Sequence, residues 1–132
     1  MHLAAVGLLL DGEWRAAARV LEDIAIDHPL DALALQAGHV TDFYTGDSRM
    51  LRDRIARALP AWSPDMPGYH NIVAMHAFGL EETALYDRAE AAGRRAIELE
   101  SRDRWAQHAV LASPSARELL RRAGDTTIAL AA

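Results

Sequence analysis

A chain of 132 residues, 51% of them hydrophobic, is long enough to bury one core. It contains no cysteine, which excludes disulfides, thiolate zinc sites and a cysteine nucleophile. Its net charge of −5, from 14 basic and 19 acidic side chains without a basic stripe, argues against nucleic-acid binding. All the basic residues are arginine, which is typical of a GC-rich bacterial genome.

Apolar residues recur at helical spacing along the chain, and no segment alternates like a β-strand. Four helices are predicted before the middle of the chain, and the breaks that end them are Asp11-Gly12, His28-Pro29, Gly46 and Pro60. Asp31 can cap the third helix, and Asp47 or Ser48 can cap the fourth. The first half of the chain is therefore predicted to be a series of helices joined by short turns.

The proline-rich segment 60–68 interrupts this series and is predicted to be a loop. A fifth helix is predicted at about 69–83 and a sixth at about 87–100. In the sixth helix, Glu90 and Arg94 have the i,i+4 spacing of an ion pair.

The last part of the chain is predicted to contain shorter helices. A seventh helix begins at Trp105 and is interrupted by Pro114, after which Ser115 can cap a last short helix. Residues 1–123 are predicted to form one helical repeat domain, and residues 124–132 are predicted to be a flexible or docking tail.

The helices are organised as an internal repeat. The segments DGEWRAAARVLEDI and TGDSRMLRDRIARAL align so that Gly12 and Gly46 are 34 positions apart. The segment TALYDRAEAAGRRAI continues the series after 38 positions, with Ala84 in place of the glycine. A 34-residue helix–turn–helix period is the tetratricopeptide signature. The sequence therefore predicts an all-α, tetratricopeptide-like α-solenoid of about three helical hairpins plus a divergent C-terminal helix.

Four segments resemble the tetratricopeptide repeat protein 38 family: HPLDALALQAGHVTDFYTGD, LPAWSPDMPGYHNIVAMHAFGLEE, YDRAEAAGRRAIEL and RDRWAQHAV. The resemblance extends over about residues 3–110, and the pairing of MHAFGLEE with RAEAAGRRAIEL is its most specific part. Members of the family are longer α-solenoids with no established enzymatic activity, so the resemblance implies a non-catalytic helical module. The chain begins about one turn before its first repeat and diverges after Val110, which indicates a truncated or divergent member.

The segment MPGYHNIVAMHAFGLEE contains residue types that form metal sites and acid–base catalysts, namely His70, His76, Glu81 and Glu82. Helix geometry separates these side chains, because His76 lies five and six positions from the two carboxylates and shares a helix face with neither. The segment alone is therefore not predicted to be a catalytic or metal site.

A second set of polar residues falls on the packing positions of the repeat. His39 and Asp42 share a face of the third helix, and His76 takes an equivalent packing position on the fifth. We predict that His39, Asp42 and His76 form a buried polar network, since buried polar groups need partners. The alternative is a small-molecule-binding or metal-assisted enzyme that uses these residues together with Glu81 and Glu82.

The concave groove of the predicted solenoid is the stronger candidate site. The residues that the repeat places in this groove are Gln36, Val40, Phe43, Tyr44, Phe78, Glu81, Glu82, Trp105 and His108. An aromatic floor beside the carboxylates of Glu81 and Glu82 suits a peptide carrying Arg or Lys, or an amine-bearing small molecule. No catalytic residue, metal or cofactor is predicted, because no phosphate-binding loop, nucleophile elbow or HExxH motif is present.

Both ends of the chain are uncharged over long runs, before Asp11 and after Asp125. An uncapped solenoid end exposes apolar surface, so self-association through one of these ends is a further expectation. We therefore predict a non-catalytic interaction or assembly module. Its partner would be a protein or peptide bound at the groove or an uncapped end, or a second copy of the chain.

The sequence gives no indication of secretion or membrane insertion. The N-terminal apolar run lacks a cationic start and is interrupted at Asp11, unlike a signal peptide. No run approaches the roughly 20 apolar residues that span a bilayer. A cytoplasmic protein without nucleic-acid or membrane partners is therefore predicted.

Overall fold

The computed structural model describes residues 1–115, 117, 118, 121 and 122, and over these residues the fold is all-α, without a strand. The helices whose bounds are described are α1 (His2–Leu10), α2 (Trp14–Asp27), α3 (Ala32–Thr45), α4 (Ser48–Ala58), α5 (Tyr69–Glu82), α6 (Tyr86–Leu99) and α7 (Arg104–Leu111). The all-α class and the predicted breaks are confirmed, and the predicted tail 124–132 lies outside the described residues. None of the described helices has both the length and the apolar composition to cross a bilayer.

Helices that follow one another in the chain pack against one another, and α5 also packs along α7. The contact between α3 and α5 is much smaller. The buried apolar residues form three clusters: Ala5, Leu21, Ile24 and Ala34; Ala25, Leu35, Ile55, Ala58, Ile72 and Met75; and Val73, Ala74, Ala96 and Ala106. Each cluster joins at least three successive helices, so the core is a row of clusters that follows the order of the chain.

The turns after α1, α3 and α5 share one backbone geometry. Gly12 and Gly46 have φ values of 79° and 72°, the left-handed region that favours glycine, and Ala84 has a φ of 61°. In each turn the amide of this residue donates to the carbonyl three positions back, and the next amide donates to the carbonyl five positions back. The same turn therefore recurs after 34 and 38 positions, even where alanine replaces glycine.

The starts of α3 and α7 are also alike. Asp31 caps α3 as predicted, since its Oδ1 accepts a hydrogen bond from the amide three positions on. Asp103 caps α7 in the same way, and its Oδ1 accepts from the amides two and three positions on. The other carboxylate oxygens face histidines, with His2 Nε2 2.8 Å from Asp31 Oδ2 and His70 Nδ1 3.0 Å from Asp103 Oδ2. Each pair joins the starts of two successive hairpins.

The last helical segment starts earlier than predicted. Pro114 and Ser115 are both helical, and the Arg117 amide donates to the Ser113 carbonyl at 3.0 Å. The prediction that Ser115 caps this segment is wrong, because proline suits the first helical position, where an N–H would have no helical partner. The Ser115 hydroxyl donates instead to Glu90, the acidic member of the predicted ion pair in α6, which is present.

The left-handed alanine gives a testable prediction. Ala84→Gly is expected to raise the free energy of unfolding by about 0.5–1 kcal/mol, because glycine removes the steric cost of a positive φ. Gly46→Ala in the equivalent turn is expected to lower it by a similar amount, although its Cβ would meet no neighbour within 4 Å. Urea denaturation measures both changes. Unchanged stability of Ala84→Gly would contradict the proposed strain.

Candidate functional site

Aromatic side chains from four helices form a continuous line of ring contacts. Phe78 of α5 lies at its centre, with ring centroids 5.6 Å from Phe43, 4.7 Å from Trp105 and 5.2 Å from His108. Tyr44 extends the line from Phe43 at 5.6 Å, and Trp14 at the start of α2 extends it from Tyr44 at 5.8 Å. We call these six residues the aromatic strip. Most of the contacts are edge-to-face, the favoured arrangement of aromatic pairs.

The aromatic strip exposes much of its apolar area to solvent. Tyr44 is 70% exposed and Phe43 is 43% exposed, whereas Phe78, in contact with Phe43, is buried. At one end of the strip, Phe43, Phe78, Trp105 and His108 line an open pocket of about 430 Å³ together with Arg104. Aromatic side chains are enriched at protein interfaces, so a row of exposed rings indicates a binding surface.

Glu81 stands at the same end of the strip. Its side chain is 12% exposed, and its Oε2 lies 3.9 Å from Nδ1 of His108. Burial raises the pKa of Glu81, and the neighbouring Glu82 carboxylate raises it further, while His108 and Arg117 oppose this shift. A positively charged group arriving from a ligand would relieve the repulsion between the two carboxylates.

The predicted groove residues are therefore largely brought together. Five of the nine belong to the aromatic strip, and Glu81 lies beside it. Gln36 and Glu82 are exposed and Val40 is half-buried; Gln36 and Val40 lie on the face of α3 that carries Phe43 and Tyr44. The structure adds Trp14 and Arg104, which the repeat register did not place in the groove, because they stand at helix starts rather than on the groove-facing positions.

The predicted mutual network of His39, Asp42 and His76 is wrong. Both carboxylate oxygens of Asp42 accept hydrogen bonds from Arg54, from Nε at 2.8 Å and from Nη2 at 2.9 Å. Asp42 binds the guanidinium rather than a histidine, because a guanidinium offers two parallel charged donors whereas a neutral imidazole offers one donor. Arg54, with 2% of its area exposed, also places Nη1 2.9 Å from Glu22 Oε2.

The position of the guanidinium depends on a glycine. A Cβ at Gly38 would lie 2.6 Å from Nε of Arg54, so the charged group rests directly on the backbone of α3. Nη2 of Arg54 also donates to the carbonyl of Ala18 in α2 at 3.2 Å. The buried arginine thus links α2, α3 and α4.

His39 is fully buried next to the aromatic strip, edge-on to Phe78 and Trp105. Neither ring nitrogen forms a well-aligned hydrogen bond within the described part of the chain. Burial lowers the pKa of His39 to about 4, an effect that a polar contact with the Leu51 backbone opposes only in part. The imidazole is therefore neutral at pH 7 and packs as an aromatic ring.

His76 and the remaining candidates do not come together as a set of metal ligands in the part of the chain that the structure describes. Burial lowers the pKa of His76, and the charges of Arg88 and Arg52 lower it further. Among the residues that the structure describes, no three His, Asp or Glu side chains converge as metal ligands. Within the described residues, the metal-assisted form of the alternative therefore has no ligand cluster to hold a metal; its residues were His39, Asp42, His76, Glu81 and Glu82.

No family model matches the chain, and no solved structure matches it. The resemblance to tetratricopeptide repeat protein 38 therefore stays a prediction that the sequence segments alone carry. The repeated turns and the aromatic strip are the features from which a function can be inferred.

Proposed function

We propose that the chain is a non-catalytic, tetratricopeptide-like interaction module that binds a peptide segment of a partner protein along the aromatic strip. The repeated turns at 34 and 38 positions support the tetratricopeptide assignment. The observation that carries the binding role is the row of exposed rings, since folding alone gives no reason to leave Tyr44 and Phe43 in solvent.

The chemistry of the site defines the peptide. The open pocket beside Phe78 suits an aliphatic or aromatic side chain, because Phe43 and Trp105 provide apolar walls. The carboxylates of Glu81 and Glu82 at the same end favour an Arg or Lys in the peptide, which can also lie over an exposed ring. We therefore expect peptides that combine a large apolar residue with a nearby basic one.

Selection from a displayed library of random peptides tests this proposal. Enriched peptides are expected to contain the apolar and basic pair. Tyr44→Ala is expected to weaken their binding by about tenfold or more, as truncation of an interface aromatic does. The double variant Glu81→Gln/Glu82→Gln is expected to weaken binding and to reduce its dependence on salt. Fluorescence anisotropy of labelled peptides measures both effects.

Ile26→Ala serves as the matched control, because Ile26 is 52% exposed and lines a different pocket, together with Arg54 and Arg57. Its binding is expected to equal that of the unchanged chain. Equal losses in Ile26→Ala and Tyr44→Ala, or a library that yields no enriched peptide, would contradict binding at the aromatic strip.

A further inference from the structure

The outer face of α1 is apolar and uncovered in the described part of the chain. Leu3 and Leu10 are 86% and 83% exposed, and Val6 is half exposed. A Cβ at Gly7, between these residues, would meet no atom within 4 Å. The helix carries no charged residue from Leu3 to Leu10.

The repeat indicates which kind of structural element packs against such a face. Because the turn at Gly12 recurs 72 positions later at Ala84, Leu3 and Gly7 of α1 correspond to Met75 and Gly79 of α5. Met75 is fully buried. A Cβ at Gly79 would lie 2.6 Å from the Cα of Arg52, so the preceding helix α4 approaches this position at backbone distance. At Leu3 and Gly7, α1 therefore has the form that receives a helix at close range.

We propose that this face receives α1 of a second copy of the chain, in an antiparallel, two-fold symmetric pair. The residues are self-complementary in that arrangement, because Leu3 lies opposite Leu10 of the second copy and Val6 lies opposite Gly7 of the second copy. Each large side chain meets either another apolar side chain or the space above a glycine. The absence of charge removes the like-charge repulsion that would oppose a symmetric pair.

The interface between the two helices is small, and its area sets the expected affinity of the pair. A helix of nine residues is about 13 Å long, so it buries much less area than a standard interface. Association is therefore expected in the micromolar to millimolar range rather than as a permanent dimer.

Analytical ultracentrifugation of the full chain, from micromolar to millimolar concentration, tests the pair. The unchanged chain is expected to dimerise reversibly. Gly7→Leu is expected to weaken dimerisation by about tenfold or more, because the new side chain fills the space opposite Val6. The monomer tolerates this change, since the position is open and leucine favours a helix more than glycine does. Leu111→Glu, an exposed position on α7, is expected to leave dimerisation unchanged.

Charge exchange distinguishes this pair from other arrangements. Leu3→Lys and Leu10→Glu are each expected to abolish dimerisation. The double variant is expected to restore it in a salt-sensitive form, because each lysine then faces a glutamate of the second copy. A chain that stays monomeric at millimolar concentration would overturn the proposal and leave the face to a different helix. A dimer that survives Gly7→Leu and Leu10→Glu would overturn it equally, since another surface would then carry the association.

Discussion

Replacing Arg54 by methionine is expected to lower the free energy of unfolding at pH 7 by about 3–5 kcal/mol. Asp42 is 1% exposed, and the substitution removes both hydrogen bonds to its carboxylate while leaving the charge buried. Glu22 loses one of its two arginine partners in the same step. Methionine is long and apolar, so the loss of charge pairing rather than an empty cavity dominates the effect. Urea denaturation followed by circular dichroism measures it.

The stability of Arg54→Met is expected to depend on pH in a defined direction. Burial raises the pKa of Asp42 and Arg54 opposes that shift, so the folded-state pKa rises further once the arginine is gone. A raised carboxyl pKa makes the fold relatively more stable at low pH and less stable as pH rises through that pKa. The stability deficit of Arg54→Met is therefore expected to shrink as pH falls from neutral towards 5.

Arg57→Met is the matched control, because Arg57 pairs with the same Glu22 but is 48% exposed. Its cost is expected to stay within about 1 kcal/mol, as for other exposed ion pairs. The double variant Arg54→Met/Asp42→Leu is expected to recover much of the lost stability, since it removes the stranded charge. Equal losses of stability in Arg54→Met and Arg57→Met would show that the buried ion pair stabilises the fold no more than the exposed one.

The second large effect is expected at His39, as a loss of stability in mild acid. The pKa of this group falls from 6.5 in the unfolded chain to about 4 in the fold, because burial penalises the imidazolium. A lowered histidine pKa contributes stability that is present above pH 6.5 and is lost as pH falls towards 4. The whole difference corresponds to about 3 kcal/mol, of which about 2 kcal/mol is lost by pH 5.

His39→Phe is expected to remove most of this acid dependence. At pH 7 the variant is expected to be at least as stable as the unchanged chain, because a ring without polar atoms replaces two nitrogens that lack well-aligned partners. Thermal unfolding at pH 7 and pH 5 compares the two proteins. His28→Gln, at an exposed position, is the control and should retain the acid dependence. An unchanged pH profile in His39→Phe would contradict the assignment. Some acid dependence is expected to remain, because burial also lowers the pKa of His76.

Local chemistry accounts for the part of the fold that the sequence predicted. Asp31 and Asp47 cap helices through hydrogen bonds that span only three positions, and Gly46 ends α3 by its own conformational freedom. Such signals act within one turn of the helix, so they can be recognised before any tertiary contact is known. The repeat period predicted where the later turns between helices lie. The turn at Ala84 occurs at its predicted position although alanine replaces glycine there.

Long-range pairing accounts for the part that was not predicted. Arg54 stands between Leu51 and Ile55 on the apolar face of α4, yet in the sequence it is one of four closely spaced arginines. Asp42 likewise stands on the packing face of α3, and nothing local indicates that its partner is 12 positions away rather than a nearby histidine. A charged residue on the apolar face of each of two adjacent helices was the available signal, and it indicates a buried ion pair.

The contact between Gly38 and Arg54 also restricts how this protein can evolve. Any side chain at position 38 requires that the guanidinium shift, and this movement disrupts its hydrogen bonds to the buried Asp42. A single substitution at any of these three positions is therefore expected to give a less stable protein, unless the glycine and both charged residues are exchanged together. Lineages that keep this packing of α2, α3 and α4 are accordingly expected to inherit Gly38, Asp42 and Arg54 as a set.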